Sequence, residues 1–160
     1  MVPVTLIGIG QSFRGDDAAG ILAVQQWQNT EPGLADHPDL RIEIAETPGI
    51  GLLDLIAGSQ SAILVDAVRS GNPPGMMHIL TEKDISSFYE GAGLGHGWGV
   101  AETLELGHTL GREDLPQTIH IIGIEGAQFE LGCDLSQEVN TLLPSVLQEI
   151  TKLIRQHLDM

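Results

Sequence analysis

Cysteine occurs once in this 160-residue chain, as Cys133, and basic side chains occur only seven times. A single thiol excludes an internal disulfide and any zinc cluster built on cysteines. Seven Lys and Arg against 22 Asp and Glu leave a formal charge of −15, which opposes binding to a nucleic-acid backbone or an anionic membrane surface. No stretch approaches the ~18 unbroken apolar residues of a membrane-spanning helix. The opening Met1-Val2-Pro3-Val4 has no basic segment and enters an apolar run at once, so the expectation is a cytoplasmic protein without signal or transit peptide. Motifs are missing too. Neither His-Glu-x-x-His nor Gly-x-Ser-x-Gly occurs, which removes the signatures of the common zinc proteases and the α/β-hydrolases. Gly8-Ile9-Gly10 lacks the third glycine of a dinucleotide-binding turn.

What is present is an alternation of apolar, β-branched runs with helix-length amphipathic segments, the pattern of βαβ units. It predicts strands at about 2–8, 40–45, 61–66, 76–80 and 118–124 and helices at about 16–29, 49–58, 98–110 and 136–157, in one domain over residues 1–160. The fold class that follows is α/β, a three-layer αβα sandwich around a mainly parallel, twisted five-stranded sheet. Ser61 to Val65 is near-continuously apolar and reads as a central strand. Arg41 to Ala45 alternates and reads as a strand with one face less buried. Met76 to Leu80, after the turn Asn72-Pro73-Pro74-Gly75, is expected at an edge. The last helix opens at Ser136, repeats apolar residues from Val139 to Leu158 at helical spacing, and contains Pro144, where a kink or restart is expected.

Three places carry chemistry. The first is the turn Gly8-Ile9-Gly10-Gln11-Ser12-Phe13-Arg14-Gly15-Asp16-Asp17, which hangs two adjacent carboxylates at the carboxyl end of a strand, where open α/β sheets bind ligands. Either aspartate can instead cap the following helix, and Asp16 suits that role better than Asp17. The second is Asp66, which closes the most hydrophobic strand, where a carboxylate costs several kcal/mol unless paired or bound to a cation. Pairing with Arg69 or capping the next turn is the structural alternative. The third is His96, flanked by glycines in Gly91-Ala92-Gly93-Leu94-Gly95-His96-Gly97-Trp98-Gly99. A surface or capping histidine is its alternative. His37, His78, His108, His120 and His157 have no comparable setting and read as structural, and Cys133 as an inert thiol. Two carboxylates and an imidazole brought together would suit a borderline divalent metal.

In their order these pieces resemble the hydrogenase maturation proteases. The resemblance runs from Gly8-Ile9-Gly10 with Asp16-Asp17-Ala18-Ala19-Gly20, through Thr47-Pro48-Gly49 with Leu52-Leu53 and Val65-Asp66-Ala67-Val68 with Pro74-Gly75. It continues through His96-Gly97 with Ala101 to Leu106, and Ile121-Ile122-Gly123-Ile124-Glu125 ahead of Leu135-Ser136. The resemblance implies an endopeptidase that removes the carboxyl-terminal extension from the precursor of a nickel-iron hydrogenase large subunit after nickel insertion. It implies Asp17, Asp66 and His96 as nickel contacts and as the candidate catalytic groups, with Asp16 a neighbour that does not touch the metal. The nickel would belong to the precursor, and the chain's own affinity for free nickel would be weak. A non-proteolytic checkpoint or chaperone for the same precursor needs the same residues and is the alternative. The expected state is a monomer, with no nucleic-acid or membrane partner. Against the family pattern, Gln11 replaces a usual asparagine, Asp17 is a methylene shorter than the glutamate of some members, and Glu46 stands where glycine is frequent. Glu46 is expected to tune the choice of precursor or to be a solvated loop charge.

Overall fold

The computed structural model describes residues 2–85, 87–88 and 99–160. Five strands form one sheet: β1 (Val2–Gly10), β2 (Leu40–Glu46), β3 (Ser59–Val68), β4 (Met77–Thr81) and β5 (Thr118–Glu125). Their order is β2-β1-β3-β5-β4, parallel throughout except for the antiparallel pair β4–β5. This is the α/β class anticipated from the alternating pattern. The apolar run of β3 lies in the middle, where both faces are covered, and the alternating β2 and the short β4 lie at the edges.

Helices cover both faces. Helices α1 (Ala19–Thr30) and α5 (Gln137–His157) pack on one face, where Val24, Trp27, Val146 and Ile150 meet Val4, Leu6, Ile63 and Val65 in a core fully out of solvent. The four-residue α2 (Pro32–Ala35), absent from the sequence reading, follows α1 with proline at its start. Helices α3 (Leu52–Ile56) and α4 (Gly99–Thr109) cover the other face, where Leu52, Ile56 and Leu104 meet Ile7, Leu64 and Ile121.

One expectation about helices is corrected. The helices expected at 16–29 and 49–58 both begin as 3₁₀ turns, Gly15–Ala18 and Gly49–Gly51, before the α-helical part. In each case the chain leaves a strand and must tighten to bring the helix back over the sheet. The last helix runs unbroken from Gln137 to His157 with Pro144 inside it, so of the two expectations at Pro144 the restart does not occur. Ser136 caps it as expected, its Oγ accepting from the Val139 N–H at 3.3 Å.

Close approach fixes how α1 sits on the sheet. A Cβ on Gly20 would lie 2.2 Å from the Val65 carbonyl oxygen and 2.5 Å from that of Ile9, so the helix rests directly on the ends of β1 and β3. A Cβ on Gly10 would meet the Asp17 carbonyl at 1.9 Å, so the turn after β1 folds back onto the strand it has just left.

Candidate active site

The carboxyl ends of the parallel strands open into a cleft of about 470 Å³ on the α3/α4 side of the sheet. Its size is within the range of small-ligand and substrate sites. Asp17 enters it from the 3₁₀ turn after β1, and Asp66 from β3. Asp66 has the strand parity of Ala62 and Leu64, which face α3 and α4, and it is only 6% exposed. Thr47, Pro48 and Leu52 form one wall, and Gly99, Val100, Glu102 and Thr103 at the start of α4 form another.

The loops at the mouth are laced together. The Thr47 N–H donates to the Gly10 carbonyl at 3.1 Å, Gln11 Nε2 donates to Thr47 Oγ1 at 2.9 Å, and the Ser12 N–H donates to Glu46 Oε1 at 2.9 Å. Gln11 thus keeps the turn hydrogen bonding expected of an amide at that position. Glu46 is exposed but not merely solvated, because the hydroxyl and N–H of Ser12 hold its carboxyl below the usual glutamate value. Thr47 adopts φ 45°, a left-handed conformation that a β-branched residue rarely takes, and these bonds hold it there.

Asp17 is half-buried. Loss of solvent raises its pKa above the ordinary 3.8, and the nearby Arg14 guanidinium partly opposes the rise. Its neighbour Asp16 has a different task. The expectation that Asp16 caps the helix after β1 is not met, since neither the 3₁₀ turn nor α1 has a side-chain cap. The 3₁₀ turn rotates Asp16 away from the helix and toward the segment after β5. There its fully buried carboxylate accepts from the N–H groups of Ala127 at 2.7 Å, Gln128 at 3.1 Å and Ser136 at 2.7 Å.

Glu125 is a third buried carboxylate beside Asp16 and Asp66, and the sequence motifs assign it no task of its own. Glu125 closes β5 at 1% exposure, accepting from the Ser70 N–H at 2.8 Å and from the Ser70 hydroxyl, with His78 Nε2 at 3.1 Å. It braces the chain just beyond Asp66 and gives His78 its structural place. The signal was the one that marked Asp66, a carboxylate at the end of an apolar strand. Arg69 lies over the Phe129 ring at 4.3 Å. Glu102 was also given no role in the sequence reading, though an acid in the first turn of a helix after a glycine-rich loop could have marked it.

Asp17 and Asp66 therefore share one cleft as expected, and Glu102 joins them. His96 lies outside the described residues. Among the described residues no three His, Cys, Asp or Glu side chains are grouped closely enough to hold a metal ion. Of the three carboxylates that line the cleft, the pair Asp17 and Asp66 at the strand ends can supply oxygen ligands to a divalent cation or accept a proton from water.

Residues 44–153 match the family model described as hydrogenase maturation protease. The chain is 26% identical, over 98% of its length, to the hydrogenase expression/formation protein HupD of Thiocapsa roseopersicina, of which it spans 66%. It is 24% identical, over 96% of its length, to the hydrogenase 2 maturation protease of Escherichia coli (strain K12), of which it spans 91%. Its fold matches the solved hydrogenase maturating endopeptidase HybD from E. coli with a TM-score of 0.77 at 21% identity, covering 96% of this chain and 93% of that one. It matches the [NiFe] hydrogenase maturation protease HybD from Thermococcus kodakarensis with a TM-score of 0.70 at 23% identity, covering 95% and 99%. These structural likenesses bear on the fold alone.

Proposed function

The chain belongs to the hydrogenase maturation protease family and is a peptidase, and from that premise we propose that it removes the carboxyl-terminal extension of a nickel-iron hydrogenase large-subunit precursor once nickel is in place. The observation that carries the reading is the cleft at the strand ends, into which Asp17 and Asp66 both project. Two carboxylates make a modest site for a borderline metal, so the substrate's nickel would retain its own ligands and gain Asp17, Asp66 and His96 on docking. The metal then acts as a key presented by the substrate. A precursor without nickel offers these carboxylates nothing to bind and is not held in register for cutting. Water polarised by the nickel would attack the scissile carbonyl, an ionised carboxylate of the cleft accepting the proton that passes to the leaving amine. The proposed working state is a monomer.

Mass spectrometry of candidate precursors, with and without nickel, after incubation with this protein tests the proposal. Loss of a carboxyl-terminal peptide from the nickel-loaded form alone is the expected result. Cleavage regardless of nickel would remove the metal-reading role of Asp17, Asp66 and His96, and nickel-dependent binding without a mass change would turn the protein into a checkpoint. Asp66→Ala and His96→Ala are expected to abolish the mass change while leaving a cooperative thermal transition; unfolding of both would sink the site assignment.

A further inference from the structure

We propose that Asp16 is a positioning residue that acts through its neighbour Asp17, a role that rests on the peptidase reading of the cleft. The upstream half of the turn has no core to hold it: Ser12, Phe13 and Arg14 are exposed, Phe13 at 77%. The turn is anchored instead from outside the cleft. Both oxygens of the Asp16 carboxylate are used, Oδ2 by the N–H groups of Ala127 and Gln128 and Oδ1 by that of Ser136. Backbone bonds extend the seam, from Gly15 N–H to the Cys133 carbonyl at 3.2 Å, from Asp16 N–H to the Gln128 carbonyl at 2.8 Å, and from Gly132 N–H to the Phe13 carbonyl at 2.8 Å. On the cleft side the Asp17 carbonyl accepts from the Gln11 N–H at 3.2 Å. The chain is thereby held on both sides of the 16–17 peptide, by the Asp16 N–H and carboxylate before it and by the Asp17 carbonyl after it. A reacting group must be held to within about 0.5 Å, and here the hold comes from a buried anion that is one residue away and points out of the site. The donors are all N–H groups, so the position requires an acceptor at both oxygens. An asparagine would turn its NH₂ toward one of them, leaving donor against donor.

The test pairs Asp16→Asn with two changes on the donor side. Ser136 has φ −63°, which proline adopts, so Ser136→Pro deletes one donor N–H and the cap hydroxyl together, whereas Ser136→Ala deletes the hydroxyl alone. Hydrogen exchange at the Gly15 and Asp17 amides, set against amides of β1 and β3, reports the turn without reference to activity. Steady-state cleavage of nickel-loaded precursor, well below each variant's melting temperature, reports the reaction. In Asp16→Asn the turn amides should exchange more than about tenfold faster while the strand amides keep their protection. Its kcat should fall by on the order of 100-fold with KM little changed, the signature of a misplaced group rather than lost substrate binding. Ser136→Pro should show the same pattern in weaker form and Ser136→Ala should not. Should Asp16→Asn fail to fold, the Ser136 pair decides. Unaltered turn protection in the folded variants, or wild-type kcat with a lowered melting temperature only, would overturn the proposal and leave Asp16 a purely structural tie. Absence of cleavage by the wild-type chain would defeat the peptidase reading separately, with exchange at Asp17 still deciding whether Asp16 holds it.

Discussion

Asp17 must be ionised to serve as a ligand or base, yet its half-buried setting favours the protonated form. The folded chain holds that proton more tightly than the unfolded chain does. Below 3.8 the group is protonated in both states and costs nothing; as pH rises toward and past its raised folded value, ionisation in the folded state works against stability. Asp17→Asn is therefore expected to raise the melting temperature at neutral pH and to abolish cleavage, and calorimetry below pH 3.8 should show the gain disappear. For the wild-type chain, cleavage should be lost on acidification through a midpoint above 3.8, where a solvated aspartate would still be ionised. A midpoint at or below that value in a pH–rate profile would mean that Asp17 does not set the acid limb.

At the scale of elements, placement depends on α1 lying against the strand ends. Gly20→Ala should lift α1 from β1 and β3, costing about 1–3 kcal/mol by overpacking and reducing cleavage as the Asp17 turn moves with the helix. Ile150→Ala in α5, fully buried on the same face but remote from the cleft, should cost about 2–5 kcal/mol and leave kcat unchanged below the transition. Denaturant titration beside cleavage assays separates the two. The elements themselves were legible, because β3 is apolar on both faces and α5 repeats its apolar residues at helical spacing, signals that tertiary contacts reinforce. The place of Asp66 was legible for a related reason, as a charge at the end of an apolar strand, whereas Asp17 is told from its neighbour only by its position in the motif that resembles the family's. The task of Asp16 was not legible. A carboxylate beside a helix start looks the same in sequence whether it caps that helix or ties down a loop 111 residues away. Only the 3₁₀ turn decides, and it was hidden because its residues are equally compatible with a regular helical start.

Across the whole molecule, a formal charge of −15 means that folding gathers like charges together. Salt should relieve this: as the screening length falls from about 30 Å at 0.01 M to about 8 Å at 0.15 M, the melting temperature should rise. A flat or falling salt dependence would show that local ion pairs such as Arg112 with Asp54 and Asp114 dominate instead.

Asp66 stands on β3 and Asp17 is folded back on the end of β1, the adjacent strand in the sheet. The chain segments that carry the two carboxylates thus leave from neighbouring paired strands, whose separation of about 4.8 Å is set by the sheet and not by any surface loop. The sheet works as a ruler, and the loops around it are left free to vary. Retargeting the protein to another precursor would then be a matter of exchanging exposed residues of the cleft walls such as Thr47 and Glu102 while the measuring edge beneath is inherited intact.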